Sequence, residues 1–478
     1  MSSNRRNLWT LVLCCTAQFM VILDVSIVNV ALPSIRSELH FGGNELQWVV
    51  SAYTLAFAGF LLLGGHAADL LGRRRVFICG LLLFALASLA GGLATGRGML
   101  IAARGVQGLG GAIVAPATLS ILSATFRQGP ERNRALGAWG AMGGAGGAAG
   151  ALLGGLLTQT LSWRWILFIN VPIGLVAALA AFRLVAQSRP AEGTRRDFDF
   201  LGAFSVTAGL VALVYAIVRT DAVGWGSAQT LVILALGVAL LAAFLVIESR
   251  FARAPLMPLR IFGSRQLSGA NVVIFLLGST AFAMWYFLSL YLQDVLGFTP
   301  IATGLAFLPM TLMIILGSTM AGRLAARVGP GPIMTLGMAL IAAGMLLFAR
   351  VAVMGGFAAD VLLPSLLAAA GIGLTFVPVT IAAVAGVAQS ESGLASGLVN
   401  TSRQIGGSLG LAVLATLATE RTAALAGHAS THAALTSGFH RAFLVGAALA
   451  AVGAVAGFLL LVRSGDRTTT GRPAAAHA

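Results

Sequence analysis

Three ionic side chains sit within long apolar stretches of this chain: Asp24, Arg104 and Arg403. An ionised group in hydrocarbon costs at least ~2.5–3.5 kcal/mol and is retained mainly where it works. A carboxylate holds its proton more tightly in apolar surroundings and less tightly beside a guanidinium. A motion that parts an aspartate from an arginine therefore decides whether the proton stays, which is the requirement for a proton carrier. At ~1.5 Å per residue, Asp24 lies about 24 Å from the Leu8 end of its stretch. Arg104, on a stretch running the other way, lies about 9 Å from its start. In a hydrocarbon core ~30 Å thick the two depths nearly coincide, so Asp24 and Arg104 are the candidate proton-coupling pair. Gln107 shares a helix face with Arg104 at i+3, where it either orients the arginine or meets a substrate. Asn29, Tyr53, Asn400, Arg403 and Gln404 are candidate cavity residues. Polar side chains of this kind also join membrane helices by hydrogen bonds.

The elements that must position these groups are membrane helices. Of 478 residues, 58% are hydrophobic and 9% charged, against about 25% charged in a soluble chain. Fourteen apolar stretches, from about residues 8–32 to 442–462, are each long enough to cross a bilayer at ~20 residues per helix. They leave short loops and no segment for a soluble catalytic domain. The seventh and thirteenth stretches, about 200–218 and 394–418, are shorter or more polar than the rest. The net charge of +15 comes from arginines scattered through loops, which points to topology rather than nucleic acid. With the N-terminus inside, 21 of the 30 basic residues fall on the cytoplasmic side and 7 outside. Both termini are thus expected in the cytoplasm. The three cysteines all lie in apolar runs, which speaks against a disulfide framework. The histidines are scattered, so no metal site is expected.

Gly65–Arg73, after the second stretch, is echoed after the tenth by Gly322–Gly329: a glycine, six residues, a second glycine, then a turn. Two repeats of six helices would separate these sites by six helices. Eight separate them, so two helices are inserted between the halves. The expected division is residues 1–190, a first six-helix bundle; 191–262, the inserted pair with its loops; 263–465, a second bundle; and 466–478, a tail. Such repeats place a substrate near the midplane between rocking halves. The fifth stretch is dense in glycine, with Gly146, Gly150, Gly154 and Gly155 spaced for close helix packing.

These residues together resemble the major facilitator superfamily, specifically its fourteen-helix drug:proton antiporter branch. The resemblance rests on Leu23-Asp24-Val25-Ser26 through Pro33, on Gly65 through Arg75, and on Leu100, Arg104, Gln107, Gly108, Gly110 and Ala112. It rests equally on Trp163-Arg164-Trp165 with Phe168 through Gly174, and on Asn400, Arg403, Gln404 and Gly406. Ala151 stands where the branch usually carries proline. The resemblance implies an all-α fold of two six-helix bundles related by pseudo-twofold symmetry plus two central helices. It implies a proton-driven exporter of small hydrophobic neutral or monocationic compounds in a bacterial plasma membrane, linked to multidrug efflux and antibiotic resistance. It further implies that Gly65, Asp69, Gly72 and Arg73 form a conformational latch. A proton gradient would be the energy source, with no cofactor, no metal, no catalytic residue and no nucleic acid, and the chain would work as a monomer in lipid. The alternative is a proton-coupled transporter of one metabolite, such as a sugar, peptide or siderophore. A membrane-embedded transferase would need a His or acid cluster at an interface, which the sequence lacks.

Overall fold

The computed structural model describes residues 3–42, 44–126, 130–187, 199–252, 255–388 and 391–462. It is all-α. Without water in the hydrocarbon core, backbone groups must be satisfied within each segment, and the described residues answer with fourteen long helices. The first half holds α1 (Ser3–Leu39), α2 (Trp48–Leu71), α3 (Arg73–Gly92), α4 (Arg97–Thr125), α5 (Pro130–Thr160) and α6 (Trp165–Leu184). Then come α7 (Phe200–Val223) and α8 (Ala228–Phe251). The second half holds α9 (Arg265–Val295), α10 (Pro300–Val328), α11 (Pro330–Phe348), α12 (Phe357–Ala385), α13 (Ser392–Ala424) and α14 (Thr431–Leu461). Ser227, Ser264, Thr299 and Ser430 cap α8, α9, α10 and α14, each accepting a hydrogen bond from the backbone N–H three residues on. These caps satisfy donors that a helix start would otherwise leave open. The helix α13 lacks the long apolar run that the other thirteen carry. It carries Asn400, Thr401, Ser402, Arg403 and Gln404 in succession, and these sit against other helices or half-buried.

The two halves repeat one packing scheme. In the first, α1 packs on α4, α5 and α6, α2 on α4, and α3 on α4 and α6. In the second, α9 packs on α12, α13 and α14, α10 on α12, and α11 on α12 and α14. The seams between halves repeat as well: α2 meets α13, and α5 meets α10. The echoed loops serve the same purpose in both halves. Gly72 ends α2 at φ 97°, ψ 125°, and Gly329 ends α10 at φ 85°, ψ 161°. Positive φ at both points is why glycine stands there twice. The inserted hairpin joins α7 to α8 through close contact at Gly209 and Gly237. Of the two, α7 faces α2 and α13, while α8 turns Leu231, Val232, Leu236 and Val238 outward, as lipid contact requires.

The halves close on each other at the end that bears the α1–α2 connection. There Arg36 of α1 pairs with Asp294 of α9 at 2.7 Å, Ser289 donates to the Asn29 carbonyl at 2.6 Å, and Gln293 donates to the Val30 carbonyl at 2.9 Å. On the α2–α13 seam Thr54 bonds Ser408, and Asn44 donates to Thr416 at 3.3 Å. On the α5–α10 seam a Cβ at Gly155 would strike the Pro300 carbonyl, and one at Gly304 the Ala151 carbonyl. Toward the opposite end the seams loosen. Gly144 meets only the Ile315 side chain, while Gly137, Gly140 and Gly143 face open space, as does Gly393 on α13.

Gly304→Leu should therefore wedge the closed end apart. Overpacking of this kind costs about 1–3 kcal/mol, which corresponds to a fall of about fivefold or more in the closed-to-open ratio. Cross-linking of cysteines placed at Gln159 and Ile301 by a short bifunctional thiol reagent, across the contact in which Gln159 Oε1 accepts from the Ile301 backbone N–H at 3.1 Å, should slow accordingly in the Gly304→Leu protein. An unchanged rate would mean that this contact does not hold the end shut.

Candidate functional site

The deepest polar cluster lies inside the first half, where five helices meet. Asp24 is fully buried on α1. One carboxylate oxygen, Oδ2, accepts from Nη1 of Arg104 on α4 at 2.5 Å. The other, Oδ1, accepts from Nε2 of Gln107 at 2.7 Å and from Nδ2 of Asn170 on α6 at 2.9 Å. The hydroxyl of Ser88 on α3 accepts from the same two amides, each at 3.1 Å, and donates to the Leu167 carbonyl at 2.8 Å. Arg104 also donates through Nε to the Val49 carbonyl at 3.0 Å and through Nη1 to Gln107 Oε1 at 2.7 Å. Its guanidinium lies over the Tyr53 ring of α2, 4.5 Å from the centroid.

The local sequence explains this convergence. Gly108 and Gly111 bring α4 against the backbone of Tyr53 and its hydroxyl, and Gly110 brings it against Phe84 of α3. These small residues carry Arg104 and Gln107 into the centre of the half. Helix α6 is interrupted between Phe168 and Asn170, so that Asn170 opens its longer segment and turns its amide inward. The preceding Trp163-Arg164 pair fixes this entry. Trp163 donates to Glu38 at 2.6 Å, and Arg164 bonds Glu38 at 2.7 Å and the Ala94 carbonyl at 2.6 Å, stapling α6 to the ends of α1 and α3.

Asp24 and Arg104 meet, as their inferred depths require, and Gln107 is bonded to both. Asn170 and Ser88 join the site without having been singled out in the sequence. The signal for Asn170 was its place in the motif that opens helix 6; Ser88 carried none. The candidate cavity residues separate. Tyr53 is fully buried beneath Arg104. Asn29 lies on the α1–α9 seam, its side chain bonded to the Val25 carbonyl at 3.1 Å. Gln404 is buried on α13. Asn400 and Arg403 are half-buried there and bonded to each other at 3.2 Å. Near the α2–α3 turn, Gly64 rather than Gly65 makes the tight approach to α4, against the Ala112 carbonyl, and Gly65 has an ordinary contact with Pro116. Arg73 opens α3. The side chain of Asp69 lies outside the described residues. On α5, Gly146, Gly150 and Gly154 face α1, while Gly155 faces α10 across the seam. Ala151 leaves α5 an unbroken helix, Pro130–Thr160. Below the Gly146 contact, α1 and α5 splay around a crevice of about 400 Å³ lined by Leu11, Val12, Cys15, Phe19 and Met142 among others.

Two halves of repeated packing, closed at one end and loose at the other around a buried ionic network, define a membrane transporter. The family model of the Major Facilitator Superfamily matches residues 14–411, and the chain belongs to that family. It is similar to the cephamycin export protein CmcT of Amycolatopsis lactamdurans, 42% identical over 427 residues, covering 88% of this chain and 87% of that protein. It is similar also to the puromycin resistance protein pur8 of Streptomyces alboniger, 40% identical over 449 residues, covering 93% and 88%. In fold it matches the crystal structure of the POT family transporter PepTSo, with a TM-score of 0.70 and 14% identity over 96% of this chain and 98% of that one.

Proposed function

We propose that this transporter exports hydrophobic, antibiotic-like compounds in exchange for protons, moving its cargo unchanged. The observation that carries the reading is the sealed network around Asp24. A buried carboxylate held by an arginine and two amides is stable when charged, and burial without the arginine favours the neutral form. Alternation of the halves gives Arg104 two positions, and with them Asp24 two protonation states. The relatives named for cephamycin export and puromycin resistance support drug as cargo. The apolar crevice between α1 and α5 suits hydrophobic compounds.

In this reading the loose end faces the cytoplasm, as the arginine distribution favours, and both termini lie there. The membrane is the bacterial plasma membrane. The segment Gly65–Arg73 acts as a latch between residues 1–190 and 263–465, and the inserted pair within 191–262 braces the α2–α13 seam. The proton gradient is the sole energy source, and a single chain in lipid is the working unit.

The test uses inside-out vesicles with a preset pH gradient. Adding puromycin should partly collapse the gradient and drive puromycin accumulation that an uncoupler abolishes. Accumulation that survives the uncoupler would overturn the proposal, as would an undisturbed gradient with every relative's antibiotic tried.

A further inference from the structure

The second half carries its own intramembrane charge, and that charge is unspent. Arg403 sits ~17 Å along α13 from Ser392, in a helix ~50 Å long. Among the described residues it forms no ion pair. Of the five N–H donors of a guanidinium, one reaches Asn400 Oδ1 at 3.2 Å, and Nε has no partner. The membrane-interior acid of the first half is committed to Arg104, and Asp294 near the closed end is committed to Arg36.

The position of Arg403 follows from its neighbours on α13. Gly397 and Ser408 face α2, through Leu62 and Thr54. Gly406 and Gly410 face α9, through Phe275 and Ser279. At ~100° per residue, Asn400 and Arg403 fall on the strip between these two faces. Arg403 reaches from there to Phe376 of α12, its guanidinium 5.2 Å from the ring centroid. Both Arg403 and Phe376 are half-buried. Along α13 the strip lies between the contacts that Gly397 and Ser408 make with α2.

We propose that Arg403, with Asn400 and Phe376, binds the acidic group of hydrophobic aromatic anions, extending the cargo range beyond neutral and monocationic compounds. A planar guanidinium matches a carboxylate or sulfonate in a two-point fork. A half-buried position strengthens that pairing relative to water. Phe376 offers its face to the cation on one side and apolar surface to an aromatic cargo beside it. A merely structural arginine at this depth would be expected to have spent its donors on carbonyls or a carboxylate, as Arg104 has. The inference rests on the reading of the cleft between halves as the cargo path.

The experiment measures equilibrium binding of 1-pyrenebutyrate and of its neutral methyl ester to the full chain in nanodiscs, by pyrene fluorescence anisotropy, with protein-free nanodiscs subtracted. Wild type should bind the acid tighter than the ester by about tenfold or more, the range of a charge-assisted hydrogen bond. R403Q should bind the two equally. R403K, which keeps the charge and loses the fork, should show a reduced preference. Equal binding by wild type overturns the inference, as does an acid preference undiminished in R403Q. If R403Q does not fold, the wild-type preference and its reduction in R403K decide. No gradient is involved, so failure here leaves proton exchange standing, and failure of the vesicle experiment leaves this site standing.

Discussion

Asp24→Asn should abolish gradient-driven export while sparing exchange. In proteoliposomes with an imposed pH gradient, accumulation of puromycin should fall to the level of protein-free vesicles. Exchange of labelled for unlabelled puromycin across the same membrane, with no gradient, should persist. The amide is isosteric; its one oxygen accepts at one of the two positions now occupied by Oδ1 and Oδ2 while its NH2 takes the other, and Arg104 keeps its bonds to the Val49 carbonyl and Gln107, so the helices stay joined at some cost in stability. What it loses is a group that can be charged in one state and neutral in the other. A purely structural ion pair predicts the opposite split, with exchange and gradient-driven export weakened together through instability.

The second large effect concerns folding. Arg104→Gln leaves the Asp24 carboxylate buried without its cation. Breaking one side of a buried pair costs ~3–5 kcal/mol, because the remaining charge is uncompensated. The unfolding midpoint of the purified protein should drop sharply at neutral pH. The doubly substituted protein, Asp24→Asn with Arg104→Gln, removes both charges and should recover much of the loss, a non-additivity expected of direct partners. An Arg104→Gln protein as stable as wild type at neutral pH would place the pair outside the energetics of the fold.

The sequence made the pair visible because charge in hydrocarbon is rare and depth follows from counting residues. Asp24 and Arg104 were located by arithmetic on two helices, and their contact at 2.5 Å agrees. The inserted helices were visible through the spacing of two glycine turns, and both turns adopt positive φ. Rotation about a helix axis was less legible. Tyr53 and Gln107 carry the polar groups expected of cavity residues, yet they turn toward Asp24 and Arg104 because Gly108 and Gly111 let α4 rotate its polar face inward against α2. Ser88 was invisible, and Asn170 visible only as part of the motif that opens α6, for a different reason. Neutral polar side chains cost little to bury in a bundle when partners are present, so their presence in a span does not announce a site. The glycines of α5 read as one packing stripe, but their faces divide, with Gly155 serving the seam and the others α1. A stripe of small residues records close approach without naming the partner.

The central claim is that a proton on Asp24 and cargo in the cleft favour opposite states of one protein. Linkage makes that claim reciprocal: if cargo expels the proton, the proton must weaken cargo binding by the same factor. The most direct measurement is the dissociation constant of puromycin for the purified protein as the pH is lowered from alkaline to acid. In wild type, binding should weaken as the pH falls. In Asp24→Asn the dependence should flatten. An identical pH dependence in both proteins, or none in wild type, would contradict the account.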